Sequence, residues 1–322
     1  MARPTSPQPT IYSIVPSDKP DALTVKSVWS QSGRGPLAAG FVHLIQFTRK
    51  GTPYLLGVNA KGTTAAYRLR PKAPWVEPVK AKIDLGGPCE ILQPFAIGDR
   101  LHLLAYSSKP NAPGARAGLL KFFAIGNDLS SSTPFEYFRH RPPGITTGWT
   151  VLQPITYLNK VYYATYGFDT GAVDLFSISV TAASAGGAPP LDTENVWSWT
   201  WAKGWTRFAF FQFGGENFFL KTNTLVPNVN IDHLDNNPNS RSDEVGTQLN
   251  LEDAQKLDIV RAFYQAGGAP YFLTYMKSGK TTFNRVHGDC LDWTTEARLA
   301  AVEGASQIVT YRIGGQSFAL FY

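Results

Sequence analysis

The feature that most constrains how this chain folds is an internal repeat. Each copy has an apolar strand, a tight turn, a second strand, a loop and a third strand. Glycine pairs such as Gly214–Gly215 suit the tight turns, because glycine takes a positive φ without strain. A period near 50 residues with about four strands is the size of a β-propeller blade. The first strands end at intervals of 47 to 61 residues, at Gly51, Gly98, Asn159, Gly214, Gly267 and Gly314.

The last copy, residues 305–322, is shorter than the others and contains two strands. Residues 10–15 match the missing third strand, and residues 22–31 supply a fourth. Sharing one blade between the two ends closes the ring and covers the edge strands. We therefore predict an all-β fold, a six-bladed β-propeller closed by N- and C-terminal strands, with residues 10–322 as one domain and residues 1–9 as a disordered tail. The fourth strands are expected at residues 133–140, 195–201, 246–251 and 291–299.

Composition agrees with many short strands and a large core. The chain has 42 aromatic residues (8 Trp, 14 Tyr and 20 Phe) together with 29 Gly and 23 Pro, a balance that favours strands and turns over helices. No apolar run reaches the ~18 residues of a membrane span, and residues 1–10 are polar, without the apolar core of a signal peptide. We expect a soluble protein that is cytoplasmic or exported without a conventional signal peptide.

The net charge of +6 is a mild bias for a chain of 322 residues. No run of Lys and Arg exceeds two residues, so we expect a solvated surface of mixed sign and no nucleic-acid partner.

One repeat carries a resemblance to known proteins. Residues 204–220 read Gly-Trp-Thr, an aromatic strand, Gly-Gly and a second strand, and residues 231–234 follow as Ile-Asp-His-Leu. This pattern resembles a repeat of bacterial and fungal proteins that ends in Ile-Asp-Arg-Ile. In architecture the chain also resembles six-bladed fungal and bacterial lectin propellers, such as the fucose-binding lectins. That resemblance implies six blades and a closed ring. The Arg, Glu and aromatic triplet that those lectins place between blades does not recur here.

The third strands supply polar candidates for a ligand site. Their equivalent positions hold the pairs Asp232–His233, Asn284–Arg285 and Tyr67–Arg68. One interpretation makes His233, Arg285 and Arg68 polar clamps for a sugar beside an aromatic platform. The alternative, which we favour, is that adjacent strand residues face opposite sides and so do not act together.

Tryptophan residues supply the aromatic candidates. Trp197, Trp199 and Trp201 alternate along one strand and share a face, while Trp149 and Trp205 occupy one slot of the repeat. The functional interpretation takes Trp199, Trp201, Trp205 and Trp149 as platforms for sugar rings. The alternative, again favoured, is an apolar layer between blades three and four.

Motifs for metals and for nucleophilic catalysis are missing. The five histidines lack metal-ligand spacing, and residues 232–239 lack the pattern of a calcium loop, so we predict no metal and no cofactor. No catalytic residue stands out. Gln212, Gln265 and Arg312 are expected near the ends of inner strands, where they would line a central channel. Cys89 and Cys290 fall on opposite blades, beyond the ~7 Å that a disulfide spans, and are read as free thiols.

Three functions remain open. The leading hypothesis is a carbohydrate-binding, lectin-like propeller with several shallow sites between blades or on one face, whose partners are glycans or a small-molecule ligand. The second is an enzyme, a cyclase, isomerase or lyase, with one pocket at the channel mouth walled by the long insertions at residues 109–116, 182–195 and 223–246. The third is a protein–protein interaction scaffold, which a large exposed apolar patch would favour. Whether the chain is an enzyme stays open, and we lean against it.

Overall fold

The computed structural model describes residues 8–19, 21–33, 35–108, 118–137, 148–180, 191–224, 228–234, 249–250, 256–265, 268–288 and 292–322. Within them the chain forms six antiparallel sheets of four strands each, arranged as the six blades of a propeller. The predicted all-β, six-bladed fold is confirmed. The blades extend from Thr10 to Phe321, and the tail predicted at residues 1–9 lies mostly outside the described residues.

Five blades are continuous in sequence. Blade one comprises β3 (Phe41–Arg49), β4 (Thr52–Asn59), β5 (Thr64–Leu69) and β6 (Val76–Val79). Blade two comprises β7 (Ile91–Ile97), β8 (Arg100–Ser107), β9 (Leu119–Ile125) and β10 (Phe135–Tyr137). Blade three comprises β11 (Trp149–Tyr157), β12 (Lys160–Gly167), β13 (Ala172–Val180) and β14 (Leu191–Thr200). Blade four comprises β15 (Trp205–Phe213), β16 (Glu216–Asn223), β17 (Asn228–Leu234) and β18 (Leu249–Asn250). Blade five comprises β19 (Ile259–Tyr264), β20 (Pro270–Tyr275), β21 (Lys280–Val286) and β22 (Trp293–Ala300).

Blade six is the shared blade that the short last copy predicted. Its strands are β23 (Ile308–Ile313), β24 (Gln316–Phe321), β1 (Thr10–Pro16) and β2 (Leu23–Ser30). Strands β1 and β24 pair antiparallel from Thr10 opposite Phe321 to Ile14 opposite Ser317. The ring is therefore closed by backbone hydrogen bonds between segments from the two ends of the sequence.

The positions of the fourth strands are the least accurate part of the prediction. Strand β14 begins at Leu191, four residues before the predicted start, and a bulge lies beside its pairing with Leu175 and Phe176. Strand β22 runs from Trp293 to Ala300, close to the predicted segment. Fourth strands are outermost and only half-buried, so their apolar alternation is weaker and their ends are harder to predict.

The core consists of six apolar clusters, and each lies between two neighbouring blades. Tyr163 and Phe176, for example, stack at 4.8 Å between ring centroids in the cluster shared by blades two and three. Because both faces of each sheet are covered by other blades, the second strands are buried almost throughout, as in the sequence Pro270–Tyr275. Many of the aromatic side chains therefore fill the spaces between blades.

Tyrosines at the ends of second strands fix one blade to the next. Tyr275 Oη donates to Val302 O at 2.9 Å and accepts from Ala305 N at 2.8 Å, in the segment that leads into blade six. Tyr166 and Tyr322 make the same two kinds of bond with the segments that enter blades four and one. We call Tyr166, Tyr275 and Tyr322 the linker tyrosines.

Candidate functional site

The site begins with the six inner strands, β3, β7, β11, β15, β19 and β23, which surround the axis of the ring. Side chains near the start of several of them bond to backbone near the start of the next, so these strands run in the same direction. The end at which they begin is here called the upper mouth. A central cavity of 570 Å³ opens there, and all six inner strands contribute to its wall. Its size is typical of small-molecule sites.

The cavity wall is mostly polar. Amides and hydroxyls from different blades point into it, among them Gln46, Gln93, Gln153, Thr150 and Thr310. The three lining residues with ionisable side chains are His43 of blade one, Glu90 of blade two and Arg261 of blade five.

A set of side-chain-to-backbone hydrogen bonds runs around the upper mouth from blade to blade. Gln307 of blade six donates to Phe41 O at 2.9 Å and accepts from Leu44 N at 2.6 Å in blade one. His43 of blade one reaches Cys89 O of blade two at 2.8 Å through Nε2. These bonds hold the polar side chains of the wall in fixed positions.

The hydrogen bond of His43 determines its tautomer. A carbonyl oxygen only accepts, so Nε2 of the half-buried ring carries the hydrogen, and Nδ1 of the neutral ring is left as an acceptor. Histidine in this form can take a proton from a reacting group.

Glu90 is the second acid–base group of the cavity. Its side chain is exposed to the cavity, and Oε1 accepts a hydrogen bond from Ser108 Oγ at 2.6 Å. The backbone of Glu90 is fixed by its N–H, which donates to Tyr106 O at 2.8 Å. Because Glu90 follows Cys89, whose carbonyl holds His43, the two acid–base groups belong to one junction between blades one and two. Burial raises the pKa of the neighbouring Cys89 thiol to about 12, and a thiol in that state is a poor nucleophile at neutral pH.

Two arginines occupy the same level on the inner strands of blades four and five. Arg207 Nε donates to Asp258 O at 2.6 Å, and Arg261 Nε donates to Ile308 O at 2.9 Å. The two side chains therefore make equivalent bonds, each to the blade that follows. Arg261 faces the cavity and is accessible from it, although protein surrounds the cavity on its sides. Loss of hydration lowers the pKa of Arg261, and the positive charge of Arg207 lowers that pKa further.

Blade order puts these groups on opposite sides of the cavity. In a six-membered ring, blade one stands across from blade four and blade two across from blade five. His43 and Glu90 therefore face the side of the channel that carries Arg207 and Arg261. The cavity has acid–base groups on one wall and positive charge on the other.

A second, smaller cavity of 260 Å³ lies between blades three and four, towards the other end of the channel. Gln212 lines this cavity and not the central one, and it donates to Thr156 O at 2.9 Å. Gln265 is buried and reaches Ile14 O at 3.4 Å, so it belongs to the packing between blades five and six. Arg312 is exposed and donates to Gly315 O at 3.1 Å in its own hairpin.

The structure places the predicted aromatic candidates outside the central cavity. Trp149 and Trp205 are each 4% exposed and pack between blades. Trp201 also packs between blades three and four, whereas Trp199 is 39% exposed. Trp197 is 9% exposed, which agrees with the apolar layer between blades three and four that the alternative interpretation favoured.

The predicted polar candidates lie on separate blades. His233 Nε2 is 3.1 Å from Glu216, and its neighbour Asp232 is directed to the other face of the strand, against Lys221. Arg285 Nη1 is 3.3 Å from Asp21 Oδ1. Arg68 Nη1 is 3.8 Å from Glu77 Oε2. The structure brings His233, Arg285 and Arg68 into no common site, and whether any of them binds a ligand stays a prediction.

The residues that line the central cavity were not among the predicted candidates, although their positions in the repeat carry a signal. Arg207 and Arg261 occupy matching positions in two copies of the inner strand, Trp-Thr-Arg-Phe and Ile-Val-Arg-Ala. Aligning the inner strands instead of the third strands would have found this pair. His43 occupies the same third position in Phe-Val-His, the start of the inner strand of blade one, and Glu90 precedes its inner strand as Asp258 does. The packing of blade one against blade two brings His43 and Glu90 together.

Some predictions concern residues outside the described part of the chain. The insertion at 109–116 lies there entirely, those at 182–195 and 223–246 lie there in large part, and so does Cys290. Within the described residues, no group of three or more His, Cys, Asp or Glu side chains is arranged to hold a metal ion. The described residues also include no helix long and apolar enough to cross a membrane.

No protein-family model and no curated protein matches this sequence, so the resemblance of its repeats to the Gly-Trp-Thr type stays a prediction. Among solved structures, the chain is similar to a putative 6-phosphogluconolactonase from Bacteroides fragilis, with 14% identity over 97% of this chain and 87% of that chain and a TM-score of 0.53. Two further likenesses have lower TM-scores. They are a putative 6-phosphogluconolactonase from Bacteroides uniformis (11% identity, 95% and 87% coverage, TM-score 0.49) and the periplasmic gluconolactonase of Pseudomonas aeruginosa (10% identity, 98% and 99% coverage, TM-score 0.46).

At these identities the comparison shows a shared propeller fold. It also contradicts our leading hypothesis of a carbohydrate-binding lectin, because the solved propeller that this chain resembles over nearly its full length is described as an enzyme. The lectin hypothesis relied on resemblance in blade count and ring closure, which enzyme propellers share. The second hypothesis, an enzyme with one pocket at the channel mouth, agrees better with the comparison.

Proposed function

We propose that this protein is an enzyme that performs general acid–base chemistry on a small polar molecule in the central cavity. The observation that carries the proposal is the fixed pair of His43 and Glu90 at the upper mouth of a 570 Å³ cavity. One group has an available ring nitrogen and the other a carboxylate. Positioned groups of this kind contribute about 10²–10⁴-fold to a reaction rate.

The similarity to a putative 6-phosphogluconolactonase suggests which reaction to test first. In lactone opening, water adds to the ring carbonyl while a base removes a proton from the water. The ring C–O bond then breaks, and a proton returns to the leaving oxygen. Glu90 is assigned the role of base towards the attacking water. After attack, His43 Nδ1 takes the second proton of that water from the hydroxyl of the tetrahedral intermediate and gives it to the leaving ring oxygen as the C–O bond breaks. Glu90 then releases its proton to solvent, which leaves the product as a carboxylate.

The amides of the wall would orient such a substrate. Gln46, Gln93 and Gln153 come from three blades and each offers both a donor and an acceptor. A hydroxylated ring matches this lining better than an apolar molecule does. The polar lining therefore supports a sugar-derived substrate. The charged groups on opposite sides of the cavity would set the position of its reactive bond.

The test is a turnover assay with a panel of sugar lactones, in which an indicator follows the proton released as each lactone becomes a carboxylate. We expect Glu90→Gln to lower kcat by about 10²–10⁴-fold, because the amide cannot take a proton. His43→Gln keeps a donor near the position of Nε2 for Cys89 O but removes the ring nitrogen that can take a proton, and it is expected to lower kcat as well.

Glu194→Gln, an exposed carboxylate on β14, is the matched control and should leave turnover unchanged. Circular dichroism and thermal melting would establish that each variant is folded. Full activity in the Glu90 and His43 variants would disprove the assignment of the site. No turnover of any lactone by the wild-type protein would reject lactone opening as the reaction.

A further inference from the structure

Arg261 lines the cavity wall opposite Glu90, and Arg207 occupies the matching position on the adjacent inner strand. Arg207 and Arg261 form no ion pair with any carboxylate in the part of the chain that the structure describes. Asp258 is the acidic residue nearest in sequence to Arg261. Its Oδ2 accepts from Lys277 N at 2.7 Å, and its Oδ1 is 3.9 Å from Lys277 Nζ.

The orientation of both guanidinium groups is fixed by backbone carbonyls. Each Nε donates to the next blade, and each Nη1 donates to the carbonyl of the preceding residue, at 3.4 Å for Arg207 and 2.8 Å for Arg261. These bonds use Nε and Nη1 of each guanidinium group. Nη2 of both residues has no acceptor within the described residues, which leaves donors available on two adjacent strands.

Two like charges held side by side and partly out of water are unfavourable without a counter-charge. Their proximity is reflected in the pKa of Arg261, which burial and the charge of Arg207 both lower. A fixed guanidinium fork matches the geometry of carboxylate and phosphate oxygens. Glu90, the acidic residue that lines this cavity, projects from the opposite blade and is bonded to Ser108.

We propose that Arg207 and Arg261, here called the cation pair, bind an oxyanion, the carboxylate or phosphate group of a small substrate. The proposal rests on the proposed function and deepens it by naming the substrate class. An anionic group held by the cation pair places the rest of a monosaccharide-sized molecule across the cavity, with its other end near His43 and Glu90. Arg207 and Arg261 are positioning and specificity residues in this arrangement.

Binding of three probes by isothermal titration calorimetry at low ionic strength tests the proposal. They are inorganic phosphate, gluconate and uncharged glucose. We expect at least one of the two anions to bind and Arg261→Gln and Arg207→Gln each to weaken it about tenfold, which corresponds to ~1.4 kcal/mol. Arg312→Gln, at the opposite end of an inner strand, is the matched control and should bind as the wild type does. Binding of phosphate alone identifies a phosphoryl group, and binding of gluconate alone identifies a carboxylate.

A measurement on the unaltered protein covers the case in which an arginine variant does not fold. Phenylglyoxal modifies accessible arginines, and mass spectrometry locates the modified positions. Phosphate or gluconate should protect Arg207 and Arg261 and leave Arg312 reactive. Equal modification with and without the anions, or equal affinity of folded Arg variants and wild type, would overturn the proposal.

The outcomes separate this inference from the proposed function. Anion binding that depends on the cation pair, combined with full turnover in Glu90→Gln, supports the anion site and rejects the catalytic assignment. Turnover that depends on Glu90 but is unaffected by Arg207→Gln and Arg261→Gln does the reverse.

Discussion

The buried ion pair of Lys221 and Asp232 shows how charged side chains are accommodated between the blades. Lys221 and Asp232 are 5% and 2% exposed, and Nζ lies 2.5 Å from Oδ2. The ammonium group also lies 4.1 Å from the ring centroid of Trp201 and 4.6 Å from that of Trp205. These cation–π contacts partly replace the lost hydration of Lys221. Trp201 and Trp205, two of the candidate sugar platforms, thus pack against the buried ammonium group of Lys221.

The ion pair predicts a large loss of stability when one partner is removed. Asp232→Asn leaves Lys221 charged and buried without its counter-ion, and we expect the free energy of unfolding to fall by about 3–5 kcal/mol. Urea denaturation measures the loss. Lys277→Met, which removes an exposed partner at 3.9 Å from Asp258, should cost no more than about 1 kcal/mol.

The double variant Lys221→Met with Asp232→Leu removes both charges and keeps similar volumes. It is expected to recover most of the stability, because apolar replacements of a buried pair are often neutral. Equal small losses in Asp232→Asn and Lys277→Met would show that Lys221 is not held as the structure describes.

At the scale of the element, the linker tyrosines explain how consecutive blades keep a fixed angle. Each ends a second strand and reaches the segment that begins the next blade. Burial raises the pKa of Tyr275, so the hydroxyl keeps its proton throughout the neutral range and continues to donate. The same arrangement at three junctions ties the start of blades four, six and one to the blade before each of them.

Tyr275→Phe removes one hydroxyl and leaves the N–H of Ala305, a residue 1% exposed, without its acceptor. We expect the free energy of unfolding to fall by about 1–3 kcal/mol, the cost of an unsatisfied buried polar group. Differential scanning calorimetry would detect the change as a lower Tm. Tyr157→Phe, on a half-exposed ring, is the control and should change stability by less than about 0.5 kcal/mol. If the two variants melted alike, the linker tyrosines would have no special role.

The elements were predictable because their signals are local. Alternating apolar residues recur in every copy, and glycine turns such as Gly214–Gly215 recur in most of them. The short last copy indicated the shared blade. The site was not predictable in the same way. His43 and Arg261 lie on inner strands, and Glu90 directly precedes one. The three residues are far apart in sequence and line one cavity because blades one, two and five are arranged around it. The third strands, which were aligned to find a site, face neighbouring blades, and their polar pairs are divided between two faces.

At the scale of the whole molecule, stability depends on closure of the ring by β1 and β24. Ile14 of β1 is fully buried in the cluster between blades five and six, next to residues such as Ala319 and Leu273. An open ring would expose this cluster and the backbone edge of β24. The cavity, whose wall uses all six blades, exists only when the ring is closed.

Ile14→Ala should therefore weaken the whole domain, because it opens a space in the core at the point of closure. We expect a loss of about 2–5 kcal/mol in the free energy of unfolding and a single cooperative transition at lower denaturant concentration. Urea denaturation followed by tryptophan fluorescence measures both. Val42→Ala, at a side chain that is 48% exposed, should change stability little. A separate early transition in Ile14→Ala, with the remaining blades intact, would contradict closure as the common support of the fold.

The pairing of β1 with β24 also sets an order of events during synthesis. Among the strands of the described structure, β1 is made before all others and its partner β24 is made after all others. Ile11 and Ile14, both fully buried in the finished ring, have no sheet neighbour on that side until translation has passed Phe321. During most of synthesis, β1 is therefore an apolar strand with an unpaired edge. This makes the nascent protein a natural client for chaperones that hold apolar strands apart.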